Sequence, residues 1–206
     1  MVLAHTMVAE MTRGELAEHL ARHARWVVTA GFDGEQLVIE GGDLSGIDLS
    51  GADLTEVALP GSHLDGARLA GAQLGLSNLA SCSFKGADLS GANLAKANLD
   101  RACLERATLS QAVATRATFV AGDLREARLD GADLRRVLFD SANLEAASLE
   151  GADLTKTSFT GARMTGVRLA GAKGLSEMLV RWIEVGGARL DEPAAREWLL
   201  HAATAR

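Results

Sequence analysis

Histidines, cysteines and carboxylates are where chemistry would begin in this chain of 206 residues. Glu15, His19 and His23 recur at four-residue intervals near the N-terminus, a spacing that puts three metal-ligating side chains on one face of a helix. The order lacks the His-Glu-x-x-His core and a further downstream ligand, so a structural histidine pair is the expected reading. Cys82 and Cys103 are the two cysteines; they match no zinc spacing and are too few for a disulfide framework. His63 is the single histidine between residues 42 and 171. No nucleophile, base and orienter can be assembled from these residues, so no catalytic residue, metal or cofactor is expected.

The elements that must position any site are set by a repeat. From Leu44 a large apolar residue recurs every five positions to Leu169 without insertion or deletion, making 26 pentads. Twenty centres are Leu; Phe84, Phe119, Phe139, Phe159 and Met164 fill five others, and only Ala114 is undersized. Two residues before each centre stands a small side chain, Ala in 16 cases. Five helical steps drift by about 140°, and five strand steps reverse the side chain, so neither regular element accommodates the period. Each pentad must instead turn the chain through a fixed angle, and successive coils must stack into a solenoid.

A slower modulation gives the angle. Sorting centres by a period of twenty yields four columns, starting at Leu44, Leu49, Leu54 and Leu59. In the second and third, all eleven small positions between 52 and 152 are Ala; in the other two, only four of eleven between 57 and 157 are. Phe119, Phe139 and Phe159 share the fourth column. A four-sided coil of twenty residues follows. In it Cys82 takes an inward seat and Cys103 an outward one, so no disulfide is expected. Asp48, Asp53, Asp88, Asn93 and Asn98, each just before a centre, are expected to satisfy backbone turns.

Bulk composition agrees with a folded, unexceptional chain. It is 48% hydrophobic and 23% charged with a net charge of −6, which excludes disorder and a strongly basic nucleic-acid binder. There is no Tyr and only 4% aromatic content, so aliphatic side chains must fill the core. No run of eighteen apolar residues and no signal-peptide pattern occurs, giving the expectation of a cytoplasmic protein without membrane insertion.

Three regions are expected: 1–41 a capping helix and lead-in, 42–171 the solenoid, and 172–206 a helical segment. Thr12 to Glu15 reads as a capping box before a helix ending at Gly31, with Leu16, Leu20, Ala24 and Val27 as its apolar stripe. Ser176–Val185 and Asp191 to about Ala203 read as two further helices separated by Gly186 and Gly187. Trp182 and Trp198 on them would cap the last coil or form a homodimer contact.

Tandem stretches such as GADLSGANL in this sequence resemble the pentapeptide-repeat proteins, over residues 42–171. The resemblance implies an all-β solenoid, a right-handed quadrilateral β-helix, here with short α-helical caps at both ends. It also implies a non-catalytic protein–protein interaction scaffold; the alternative is a DNA mimic that binds and protects a type II topoisomerase (gyrase). Residues 42–171 hold 16 acids and 13 bases, and no face forms a phosphate-like acidic stripe. The scaffold reading therefore leads, with another protein as partner and no direct nucleic-acid binding.

Two surfaces are candidates for that partner. The residue two after each third-column centre is Glu56, Leu76, Lys96, Arg116, Arg136 and Lys156, so four successive coils carry a cation at one corner, with Arg135 adjoining. The fourth column offers a wall containing Thr118, Val120 and Leu138.

Overall fold

The computed structural model describes residues 13–204. Helix α1, Arg13–Val28, leads into a four-sided β-helix, and a hairpin of β1, Trp182–Val185, and β2, Ala188–Asp191, precedes helix α2, Ala194–Thr204. Among the described residues no helix is long and apolar enough to cross a membrane.

The pentad folds this way because its backbone donors can all be satisfied. Around Leu54, the Leu54 N–H donates to Gln73 O at 2.7 Å and Glu56 N–H to Gly75 O at 2.8 Å, both on the next coil. Val57 N–H closes the corner turn onto Leu54 O at 3.1 Å, and Ala58 N–H returns to Leu37 O at 3.0 Å on the preceding coil. The remaining donor, Thr55 N–H, is taken by Asp53 Oδ1 at 3.1 Å. Asp48, Asp88, Asn93 and Asn98 accept in the same way from the residue two ahead. The Asp and Asn before the centres are therefore turn acceptors, as expected.

Parallel bridges join residues twenty apart from Val38↔Ala58 to Asp153↔Lys173. Inside, every centre from Leu54 to Leu169 is at most 1% exposed, and each such Leu or Phe contributes roughly 1.5–3 kcal/mol. Phe119, Phe139 and Phe159 stack in one column with centroids 5.1 and 5.4 Å apart. Regular pairing already begins before residue 42, because Leu37 and Ile39 occupy the two inward seats of one earlier pentad, 6% and 2% exposed.

Beyond residue 171 the expected helix over Ser176–Val185 is absent. A 3-10 turn, Leu175–Glu177, inserts one residue, after which the ladder resumes at an offset of 21 with Ser158↔Leu179 and Arg163↔Glu184. Met178, Val180 and Ile183 are buried in the inward seats. A Cβ at Gly174 would lie 2.4 Å from Thr155 N, so only glycine lets the chain pass there before it regains register. Gly186 and Gly187, with φ of 58° and 79°, turn β1 into β2, as a two-residue hairpin loop requires. They do not separate two helices.

Both ends are closed by helices. On α1 the inward residues are Leu16 and His23, with Leu20 and Val27 half-buried, whereas Ala24 of the expected stripe is exposed. Thr12 of the expected capping box lies outside the described residues. Gly31 (φ 87°) follows the last turn and its N–H bonds Trp26 O at 2.8 Å. Ala195 and Leu199 of α2 are fully buried, Arg196 donates to Ser176 O and Met178 O, and Gly171 N–H meets Ala203 O. The second expected C-terminal helix is thus present as α2, lying over the last coil.

Candidate functional site: a basic corner beside an apolar ladder

The corner turns of the β-helix each carry a residue with left-handed backbone, mostly exposed and often glycine. In the third column this seat carries Lys96, Arg116, Arg136 and Lys156 at φ 60–61°. The amides of the first three are tied to the next coil, Lys96 N–H to Thr115 O, Arg116 N–H to Arg135 O and Arg136 N–H to Thr155 O, at 2.9–3.0 Å. The Cα atoms are thereby held in a line at roughly 4.8 Å per coil. Between them runs an open groove of about 390 Å³ lined by Thr115, Arg116, Arg135, Arg136, Thr155 and Lys156.

The cations differ in how far they are already spent. Arg135 clamps Asp133 with two hydrogen bonds of 2.6 and 2.8 Å. Those bonds hold the Asp133 carboxyl below its ordinary value and raise the Arg135 guanidinium. Lys156 lies 3.8 Å from Glu177 on the 3-10 turn. Lys96, Arg116 and Arg136 make no ion pair among the described residues. The corner therefore keeps a line of uncompensated charge, with Arg135 as a locally neutralised flank.

Alongside the corner lies the fourth-column wall. Thr118, Leu138, Ser158 and Leu179 form one ladder of bridges, and Leu138 and Leu179 are 37% and 57% exposed. Arg116 and Thr118, and likewise Arg136 and Leu138, are separated by one buried residue, Ala117 or Val137. Val120 sits outside this ladder, half-buried, with its N–H held by Asp100 Oδ1 at 3.0 Å. Leu179 belongs to the surface but was hidden in sequence by the one-residue insertion.

Trp182 and Trp198 are both occupied within the chain. Trp182 packs over Gly161, where a Cβ would lie 3.1 Å from its ring, and carries the Arg189 guanidinium 4.6 Å from its centroid. Trp198 is half-buried against the core.

The chemistry-bearing residues are dispersed. His23 is fully buried and its Nδ1 accepts the Leu37 N–H at 3.0 Å, while His19 stays half-exposed. Cys82 and Cys103 are both free. Cys82 donates to Leu59 O, and burial pushes its thiol up to about 11, which leaves no thiolate for nucleophilic work at neutral pH. Cys103, Glu105 and Asp123 bring ligand atoms within 4.8 Å of one another, a cluster sequence spacing does not reveal because two coils contribute. Arg125 already bridges it, 2.6 Å from Asp123 and 3.4 Å from Glu105. The acids of the other faces are similarly engaged: Arg68 pairs with Asp48, Arg106 with Glu126, Arg163 with Glu145 and Arg168 with Glu150.

Four walls of pentads with Leu or Phe inward and turn residues at each corner define a right-handed quadrilateral β-helix. The pentapeptide repeats profile matches in eight copies across residues 43–79, 72–111, 102–140 and 138–173, and the chain belongs to that family. Among solved structures, it is similar to QnrB1, a plasmid-mediated fluoroquinolone resistance protein, at 16% identity and a TM-score of 0.38, covering 81% of this chain and 95% of that one. A pentapeptide repeat protein of the Arabidopsis thaliana thylakoid lumen is 30% identical, with a TM-score of 0.32 over 50% of this chain and 68% of that one. HetL, from Nostoc and involved in heterocyst differentiation regulation, is 25% identical, with a TM-score of 0.25 over 87% and 99%. Among curated proteins none matches the chain.

Proposed function

We propose that this protein is a non-catalytic interaction scaffold that docks an acidic surface of a partner protein along Lys96, Arg116, Arg136 and Lys156. The observation behind this reading is the line of cations on a backbone hydrogen-bonded from coil to coil, two of whose guanidinium groups, Arg116 and Arg136, have no counter-ion among the described residues. Like charges stacked in register repel one another, and an incoming set of carboxylates relieves that repulsion. A DNA-mimic role would need unpaired acids along a face, whereas most coil acids here are held by arginines or by turn amides, as Asp48, Glu126, Glu145, Glu150 and Asp53 are.

The test is charge reversal. Arg116→Glu with Arg136→Glu should abolish capture of protein partners by the immobilised scaffold at about 0.15 M salt, where the Debye length is about 8 Å. It should also flatten the salt dependence of whatever capture remains. Unchanged capture with an unchanged salt dependence would remove the corner from the interface.

A further inference from the structure

The corner and the wall are two parallel rails, and their joint geometry selects a partner shape. One rail is cationic, Arg116, Arg136 and Lys156; the other is Thr118, Leu138, the buried Ser158 and Leu179, so the two exposed leucines stand two coils apart, Leu138 beside Arg136 and Leu179 one coil past Lys156. Chain connectivity places Arg136 and Leu138 two residues apart, a separation of at most about 7 Å. Both rails fit beneath a single α-helix about 10 Å across.

Spacing along the rod decides between helix and strand. From Arg116 to Lys156 is two coils, roughly 9.6 Å. A helix places residues i and i+7 on one face about 10.5 Å apart, with i+4 or i+3 between them, so three carboxylates meet three cations within about 1 Å. An extended strand repeats on one face every two residues, about 6.6 Å, against one cation every roughly 4.8 Å, so only three of its carboxylates can face the four cations from Lys96 to Lys156, and the middle one falls between two of them. A nucleic-acid backbone would leave the apolar rail without a counterpart, and the net charge of −6 opposes its approach.

We infer that the partner element is an acidic amphipathic α-helix lying parallel to the solenoid axis, its carboxylates on Arg116, Arg136 and Lys156 and its apolar stripe on Leu138 and Leu179. This rests on the scaffold reading above and gives its partner a shape.

The experiment uses the full chain and fluorescein-labelled probes read by anisotropy. The first probe is a stapled helical peptide of about 18 residues with glutamates at i, i+4, i+7 and i+11 and leucines on the adjoining stripe. The others are a strand-forming peptide of alternating glutamate and valine, and a single-stranded RNA of about 20 nucleotides. The stapled helix should bind with a Kd on the order of 10 µM. Arg136→Glu should weaken it about tenfold and the charge-neutral Leu138→Ser about fivefold, both variants keeping the parent Tm. Equal binding of the strand peptide, or indifference to Leu138→Ser, would overturn the helix while leaving the basic corner in place. Binding of neither acidic peptide, or preference for RNA, would overturn the corner as a protein-docking site as well.

Discussion

Acidification should unlatch the N-terminal cap through one imidazole. His23 is fully buried, its Nδ1 accepting the Leu37 N–H at 3.0 Å, and this bond ties α1 to the first inward seat of the solenoid. Among the described residues Nε2 meets no acceptor in good hydrogen-bonding geometry, although the Thr55 backbone favours the protonated ring, and Trp26 stacks on the ring at 5.9 Å. Burial lowers the pKa below 6.5, outweighing the pull of the Asp53 and Glu56 carboxylates in the opposite direction. Protonation would also convert Nδ1 from acceptor to donor, setting it against the Leu37 N–H.

The sign follows from linkage. The unfolded or detached state takes up a proton once pH falls below about 6.5, while the docked state stays neutral, so the contribution is complete above 6.5 and is lost as pH drops toward the docked pKa. From pH 7.5 to 5.5 that is at most about 1.4 kcal/mol, or about a tenfold rise in the opening equilibrium. Hydrogen exchange at the Leu37 amide, corrected for the intrinsic rate, should show that rise, and a histidine-resolved NMR titration should give His23 a midpoint below 6.5. His23→Leu leaves the Leu37 N–H without an acceptor, costing about 1–3 kcal/mol, and should make its exchange insensitive to pH over the same window. A His23 midpoint at or above 6.5, or the same pH dependence in His23→Leu, would refute the latch.

Arg116→Gly with Arg136→Gly removes two charges from seats at φ 61°, where a non-glycine residue costs about 1–2 kcal/mol; calorimetry should show Tm unchanged or raised although partner capture is lost, and a lowered Tm would mean the arginines are structural. Ala114→Leu should raise Tm, because Leu134 and Leu154 already stand beside Phe139 and Phe159 in the two following coils and Ala114 has the same setting beside Phe119. The gain should approach 2 kcal/mol, and a fall in Tm would show that neighbours have closed the space. Ending the chain before Ala194 deletes α2 and uncovers Met178 and the last coil; light scattering should then report aggregation, and a monodisperse product of equal Tm would deny α2 a capping role.

The solenoid was legible because its period is strict: an inward Leu or Phe, an inward Ala and an Asx acceptor recur in a fixed frame, and each solves a defined packing or hydrogen-bonding requirement. The last coil escapes that frame by one inserted residue at the Gly174 passage, so Ser176–Val185 reads as a helix and the inward seats of Met178, Val180 and Ile183 go unseen. Gly186-Gly187 nonetheless carried a hairpin signal. His19 and His23 read together as a structural pair, but only His23 is buried, because its partner is the amide of Leu37, fourteen residues away and invisible to local spacing. The corner cations could be read from the twenty-residue period. The pairing of Arg135 with Asp133 was also within reach, since both flank the inward Leu134 and face outward together.

The central claim, that partners dock on the third-column corner, is tested most directly by lysine reactivity in the complex. Lys96 and Lys156 mark the corner, while Lys85 lies in the first column at the turn after Phe84. Acetylation under native conditions, read by mass spectrometry with and without bound partner, should show Lys96 and Lys156 protected and Lys85 unchanged. Protection of Lys85 with Lys96 and Lys156 still fully reactive would place the interface on another wall and contradict the account.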